Sequence, residues 1–246
     1  MSLIQNHFSA IVISVAVVIT GVFLGKSFKD KGKPDPVISV TGLGEKSFDS
    51  DLIVWRANFS RRNFELKSAY NELNKDINAV KRYLKSKGIS EKEVVFEAAD
   101  IQKDYSYFYD NSGRVSQSIF NGYVLTQNMK VQSKNVDLVE NTSREVSQLI
   151  DAGIELNSYS PEYYYTKLTE LKLKMIEEAT KDAYDRAQKI AENGGGKIKK
   201  MMQADMGVFQ IIAENSSEEY NWGGSFNTSS RRKTANITMR LKYLVD

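Results

Sequence analysis

The residues whose spacing comes nearest to a chemical signature are few. Gly42-Leu-Gly44 hints at a phosphate loop, but the third glycine is missing and a strand-like run follows where a helix would be needed. Gly194-Gly-Gly196 follows a helical pattern instead of opening one, so it reads as a cap and turn. The acidic pairs Asp49/Asp51 and Glu177/Glu178 have none of the alternating oxygen ligands of a calcium loop, and no metal is expected. Met201, Met202 and Met206 could take up oxidant reversibly as exposed thioethers, though three methionines near a strand are more often packing residues.

Two absences narrow the chemistry further. The chain has no cysteine, which excludes disulfides, thiolate nucleophiles and thiolate metal sites. Its one histidine, His7, lies in the N-terminal tail, so the domain has no imidazole for a Ser-His-Asp or Cys-His centre. Carboxylate, lysine or tyrosine chemistry remains, and those residues are also ordinary surface groups. The expectation is a non-enzymatic protein without cofactor. A hydrolase-type enzyme with a carboxylate or lysine centre is the alternative.

Binding surfaces are better represented. Aromatic side chains cluster at Tyr105, Tyr107, Phe108 and Tyr109, at Tyr163, Tyr164 and Tyr165, and at Tyr220, Trp222 and Phe226. Tyrosine and tryptophan combine an apolar body with a polar tip and are typical contact residues, so self-assembly or partner binding is the sharper reading. Basic spots occur at Arg61-Arg62, at Lys197, Lys199 and Lys200, and at Arg231-Arg232-Lys233. They are not interleaved with the aromatics, and a net charge of +3 is small for 246 residues, so no nucleic-acid partner is expected.

The elements that must position these residues begin with an uncharged run, Phe8 to Leu24. The run spans about 26 Å as a helix, close to a hydrocarbon core of about 30 Å. It predicts an uncleaved single-span membrane anchor over residues 1–25, whose lipid face includes Phe8, Ile11, Val15, Val18, Val22 and Leu24. Neither a basic leader nor a small-residue cleavage site accompanies it, which separates it from a removable signal peptide. Residues 26–36, charged and holding two prolines, read as a linker. The lysines at 26, 29, 31 and 33 would keep that side cytoplasmic, as in a cytoplasm-facing adaptor.

Over residues 37–246 the hydrophobic period switches between two and three to four. Val37–Leu43 reads as a strand closed by a Gly-Leu-Gly turn. Residues 48–63 form a longer strand in which Leu52, Val54, Ala57 and Phe59 face inward. Leu66, Ala69/Tyr70, Leu73, Ile77, Val80 and Leu84 mark one face of a helix ending at Gly88. Residues 94–109 and 115–131 form a hairpin about Asp110-Asn-Ser-Gly113. A second helix runs from Asn135 to Gly153 with the stripe Val139, Thr142, Val146 and Leu149/Ile150. A strand at 154–165 is interrupted at Ser160-Pro161. The longest helix, from about 166 to 192, carries Ala179, Ala183, Ala187 and Ala191 as a small-residue ridge suited to close packing on a sheet. Strands at 197–213 and 234–245 enclose a Ser-, Asn- and Gly-rich loop. The fold class is therefore α+β, with a mixed, mostly antiparallel sheet or sheets, three packed helices and one N-terminal transmembrane helix.

Ile38-Ser-Val-Thr-Gly-Leu-Gly-Glu45 followed by Ser50-Asp51-Leu52 resembles the opening signature of SIMPL-domain proteins. The helix ending Lys87-Gly88-Ile89 is similar to that family's first helix. Tyr123-Val-Leu-Thr126, Val136-Asp-Leu138 and Ile150-Asp-Ala-Gly153 resemble its middle block, Ala187 to Ala191 its long helix, and Ile237 to Leu241 its closing strand. The proline usual before the aspartate is replaced by Ser50. The resemblance implies a bacterial, exported protein of the periplasm or cell envelope, connected with immunogenic antigens and oxidative-stress defence. It also implies a homo-oligomer, ring- or channel-like in at least one member, and carries no catalytic residues. Against the lysines after the apolar run, it favours a domain on the outer side of the membrane.

Overall fold

The computed structural model describes residues 2–31, 36–217 and 221–246, with side chains placed for 11–26 and for the last two of these stretches. An N-terminal helix α1, Ser2–Lys31, precedes β1 (Val37–Asp49), β2 (Leu52–Asn63) and α2 (Leu66–Ser86). Strands β3 (Val94–Phe96), β4 (Asp100–Tyr109) and β5 (Val115–Ser133) follow, then α3 (Val136–Glu145) continued by a 3-10 turn over Val146–Ala152. The remainder is β6 (Leu156–Ser158), β7 (Glu162–Tyr164), α4 (Leu168–Asn193), β8 (Ile198–Met206), β9 (Gln210–Ala213) and β10 (Arg232–Val245).

The strands make two sheets. In one, β5 and β2 are the central pair, with β3 and β4 along the outer edge of β5 and with β6 and β7 along the outer edge of β2. All of these pairings are antiparallel. In the other, the order is β1-β10-β8, and β9 pairs antiparallel with β10. The α+β class and the antiparallel character expected from the sequence are present.

The transmembrane part of that expectation is overturned. Among the described residues, no helix is long and apolar enough to cross a membrane. The apolar stretch whose side chains are placed, Ile11–Leu24, is roughly fourteen residues and about 21 Å long, short of the roughly 30 Å of a hydrocarbon core. It is also interrupted by Ser14, Thr20 and Gly21. The helix itself continues through Lys26 to Lys31, where a linker was expected. Phe8 lies outside the residues with described side chains, and residues 32–35 lie outside the described chain.

By internal contacts the chain divides into two compact units, one of Met1–Gly42, Thr180–Asp205 and Met239–Asp246, the other of Leu43–Ala179 and Met206–Thr238. The second has the larger core. Ile53, Trp55, Ala57 and Phe59 of β2 alternate inward and meet Leu125, Met129 and Val131 of β5. Ala69, Leu73, Val80 and Leu84 of α2 and Val136, Val139, Val146 and Leu149 of the α3 segment close over them. The inward set begins at Ile53, not Leu52, so the first two residues of the expected face are out of phase. Ile53 and Trp55, whose indole N–H donates to Ser158 Oγ at 2.9 Å, are both buried completely on the core side, while Val54 is buried on the opposite face.

Capping follows local chemistry. The Asn135 side chain accepts from Leu138 N at the start of α3. Gly153 ends the segment with φ 72°. Pro161, which cannot donate to a ladder, separates β6 from β7. Gly207 divides β8 from β9 where one strand was expected; a Cβ on it would collide with the Thr238 side chain. Likewise Gly42 and Gly44 do not form a turn but lie on the buried face of β1. A Cβ at Gly44 would press on the Met175 carbonyl and on Ala179, so the glycine is what lets α4 approach the strand. The alanine ridge behaves as expected, with Ala179, Ala183, Ala187 and Ala191 all buried.

Candidate interaction surfaces

The β4–β5 hairpin outgrows its sheet. β2 pairs with β5 only as far as Asn63 opposite Tyr123, and beyond that point, among the described residues, β5 runs on with β4 alone. Gly122 marks the root. Its φ of 124° favours glycine, and a Cβ there would lie 2.8 Å from the Asn63 carbonyl oxygen. The ladder slips at this place, between Asp104 and Tyr105, leaving Asn121 bulged and its amide donating to Ser106 Oγ at 2.7 Å. The far end is a turn held by Asp110, whose carboxylate accepts from Ser112 N, Ser112 Oγ and Arg114 N. Those bonds stabilise the ionised form and hold Asp110 below the usual carboxylate range.

Both faces of this arm carry apolar side chains in solvent. Tyr105, opposite Phe120, and Tyr107 share one face, and the Tyr105 ring lies 5.4 Å from Phe120 and 6.2 Å from Tyr107. Phe120 in turn meets Tyr123 at 5.2 Å and Phe64 at 6.4 Å, extending the aromatic row back to the sheet. Phe108 and Ile119 occupy the other face. Tyr105, Tyr107, Phe108, Tyr109, Val115 and Ile119 are all exposed.

The other expected contact residues separate. Tyr163 is buried in the core, its hydroxyl held up in pKa by desolvation and by Glu140. Tyr164 is half-buried and donates to Glu162 Oε2 at 2.8 Å, the same oxygen that Arg56 holds. Neither belongs to an exposed aromatic surface. Trp222, by contrast, is 97% exposed. It sits on a four-residue turn, Asn221–Gly224, closed by Gly224 N donating to Asn221 O at 2.9 Å. Tyr220 lies outside the described residues.

Several of the remaining titratable candidates have structural partners. Asp51 accepts from Thr166 N and Thr166 Oγ1, both at 2.7 Å, tying the start of β2 to the approach of α4. Arg61 holds Asp76 at 2.5 and 3.0 Å and donates to Gly153 O. Arg62 pairs with Asp104, Lys199 with Asp246, Arg231 with Asp137 and Glu140, and Arg232 with Glu214. Lys233, read from the sequence only as part of a basic spot, is 1% exposed and donates to Tyr163 O at 2.5 Å above the Phe226 ring. Burial lowers its pKa from 10.5 to about 8. No signal in the sequence separates it from its exposed neighbour Arg232. A cleft of about 370 Å³ between α2 and β3 is lined by one acid, Glu91, and one base, Lys81, among apolar residues. Among the described residues, no group of three His, Cys, Asp or Glu side chains is placed to hold a metal.

This fold and these surfaces define a two-sheet α+β protein that displays aromatic side chains on a projecting hairpin and on a pinned turn. The model of one family, SIMPL, a protein family of unknown function (DUF541), matches residues 38–239, and the chain belongs to it. No curated protein matches the chain.

Proposed function

We propose that this SIMPL-family chain is a non-catalytic cell-envelope protein that assembles with copies of itself through the β4–β5 arm. The observation that carries the reading is an arm whose side chains are exposed on both faces and whose strand edges, among the described residues, pair with no other strand. A two-stranded hairpin is marginal by itself in water, and an open edge is a template for another strand. Exposed edges are commonly guarded by charge, yet residues 105–122 contain only Asp110 and Arg114, and Asp110 is consumed in the turn. A neutral surface of tyrosine, serine and glutamine is self-complementary, which favours a second copy over a charged partner. The apolar side chains between Ile11 and Leu24 of α1 are exposed around the helix, which supports attachment to the cell envelope through apolar contact.

Light scattering after size-exclusion chromatography of the full chain tests the assembly. A mass of several times 27.9 kDa is expected, falling to the single-chain value in a Tyr107→Ser/Phe108→Ser double variant while Ile150→Ser leaves it unchanged. A wild-type chain that stays at 27.9 kDa at micromolar concentration sinks the reading.

A role in oxidative-stress defence has one observation in its favour. Met201, Met202 and Met206 are 52%, 48% and 62% exposed on β8, against the packing expected of them. Hydrogen peroxide transfers one oxygen atom to each thioether and leaves as water. Peptide mass spectrometry is expected to show these three oxidised roughly tenfold faster than buried Met129, Met175 and Met239. Equal rates would remove the argument.

A further inference from the structure

The turn that carries Trp222 is built to hold an indole in solvent beside a neutral cleft. Gln210, buried on β9, uses both ends of its carboxamide on this loop: Nε2 donates to Asn221 O and Oε1 accepts from Ser225 N, each at 2.7 Å. The Asn221 side chain accepts from Gly223 N at 3.0 Å. Ile211 N donates to Ser225 O and Asn227 N to Ile211 O, so the loop is stitched to β9 on either side of Phe226. A large apolar side chain on a free loop would fold back onto the surface. On this pinned turn it stays 97% exposed.

Beside it lies an open cleft of about 520 Å³. Besides Trp222 it is lined by the exposed apolar side chains of Leu43 on β1 and Val208 and by the polar residues Gln210, Asn221, Asn236 and Thr238. No residue of this lining is charged. We propose that the turn and cleft bind a neutral N-acetylated sugar, as part of a glycan chain. The flat indole offers its π-face to the C–H face of a pyranose ring, a contact between an electron-rich face and polarised hydrogens. Thr238 and Asn221 supply hydroxyl and amide groups for uncharged sugar hydroxyls, and the apolar side chains of Leu43 and Val208 take the acetamide methyl. A phosphorylated or acidic ligand finds no cation in the lining, and a lipid headgroup surface would find a single indole above amides that need hydrogen-bonding partners. This site is separate from the β4–β5 arm and does not rest on self-assembly.

The chain contains two tryptophans, Trp55 fully buried and Trp222 almost fully exposed, so a ligand-induced emission change reports on Trp222. Titration of the full chain with tri-N-acetylchitotriose is expected to give a saturable blue shift and protection from iodide quenching. Calorimetry in parallel is expected to show affinity lost by about tenfold or more in Trp222→Ala, an exposed position whose replacement leaves the core intact, as truncation of an anchoring aromatic does. Cellotriose, without acetamides, is expected to bind at least about threefold more weakly, since its rings lack the methyl group that meets Leu43 and Val208. The proposal is overturned if the trisaccharide gives no saturable change, if Trp222→Ala binds it as wild type does, or if cellotriose binds equally well. It is also overturned if neutral phosphatidylcholine vesicles shift the emission while both sugars are silent, which would assign the turn to a lipid surface.

Discussion

Replacing Gly44 by alanine is expected to destabilise the domain by about 3 kcal/mol, far more than one added methyl ordinarily costs on a strand. A Cβ at this position would lie inside 3.0 Å of the Met175 carbonyl oxygen and at 3.3 Å from both N and Cβ of Ala179. The neighbour that must give way is helix backbone, not the end of a flexible side chain. The backbone of Gly44 is ordinary extended strand, so alanine meets no backbone strain and even restricts the unfolded chain slightly; the cost is the separation of α4 from β1. Relief by movement of the helix would expose part of the contact that the alanine ridge makes close. Urea unfolding followed by the emission of buried Trp55 measures the loss. Leu43→Ala, one residue away on the exposed face, serves as control and is expected to cost under about 1 kcal/mol. A Gly44→Ala loss no larger than that of the control would show that the close approach is not rigid.

The second large effect is a pH dependence owed to Lys233. Its folded-state pKa is about 8 against an ordinary 10.5, because the ammonium is taken out of water. Among the described residues, no carboxylate lies within ion-pair distance to offset this; the charged side chains beside it in sequence, Arg231 and Arg232, pair with Asp137, Glu140 and Glu214 instead. Between pH 8 and 10.5 the folded chain binds fewer protons than the unfolded chain, so stability rises with pH across that window. Below pH 8 both states are protonated and the penalty is present in full. At 1.36 kcal/mol per pKa unit the whole change is about 3 kcal/mol. Lys233→Met removes the titration, so the stability of this variant relative to wild type is expected to fall by about 3 kcal/mol between pH 7.5 and 10.5. Tyr83, Tyr163, Tyr164 and Tyr243 have raised pKa values and lose stability above pH 10. They do so in both proteins and largely cancel in the difference. A difference constant to within about 1 kcal/mol would mean that Lys233 keeps its water-like pKa.

Much of the fold is legible in the residues, and where it is, the reason is local. The stripe Ala69, Leu73, Val80 and Leu84 repeats with the helical period because one side of α2 is buried, and Asp110 to Gly113 turns the hairpin because Asp110 can satisfy three donors of the turn itself. Asn135 and Gly153 bound their helical segment by side-chain capping and by left-handed backbone. Pro161 breaks its strand for want of a donor. The aromatic composition of residues 105–109 and the tryptophan at 222 are also plain in the chain.

What the chain could not show by itself is which neighbour each residue meets across long stretches of sequence. Gly42-Leu-Gly44 has the composition of a turn, and only the arrival of α4 against Gly44 makes it the middle of a strand. Tyr105–Tyr109 and Tyr163–Tyr164 are alike in composition. The first lies where β2 has ended and its side chains are exposed, while Tyr163 faces the core next to β2. Met201, Met202 and Met206 look like packing residues until β8 is placed at a sheet edge with its side chains in solvent. The apolar run near the N-terminus was readable as a helix because helical hydrogen bonds close within four residues, but its continuation to Lys31 leaves an apolar stretch too short, among the described residues, to cross a membrane. Periodicity, caps and turns are properties of neighbours in sequence, and these the chain determined alone. Burial, close approach and the charge state of Lys233 depend on partners tens of residues away, and those only the tertiary structure decided.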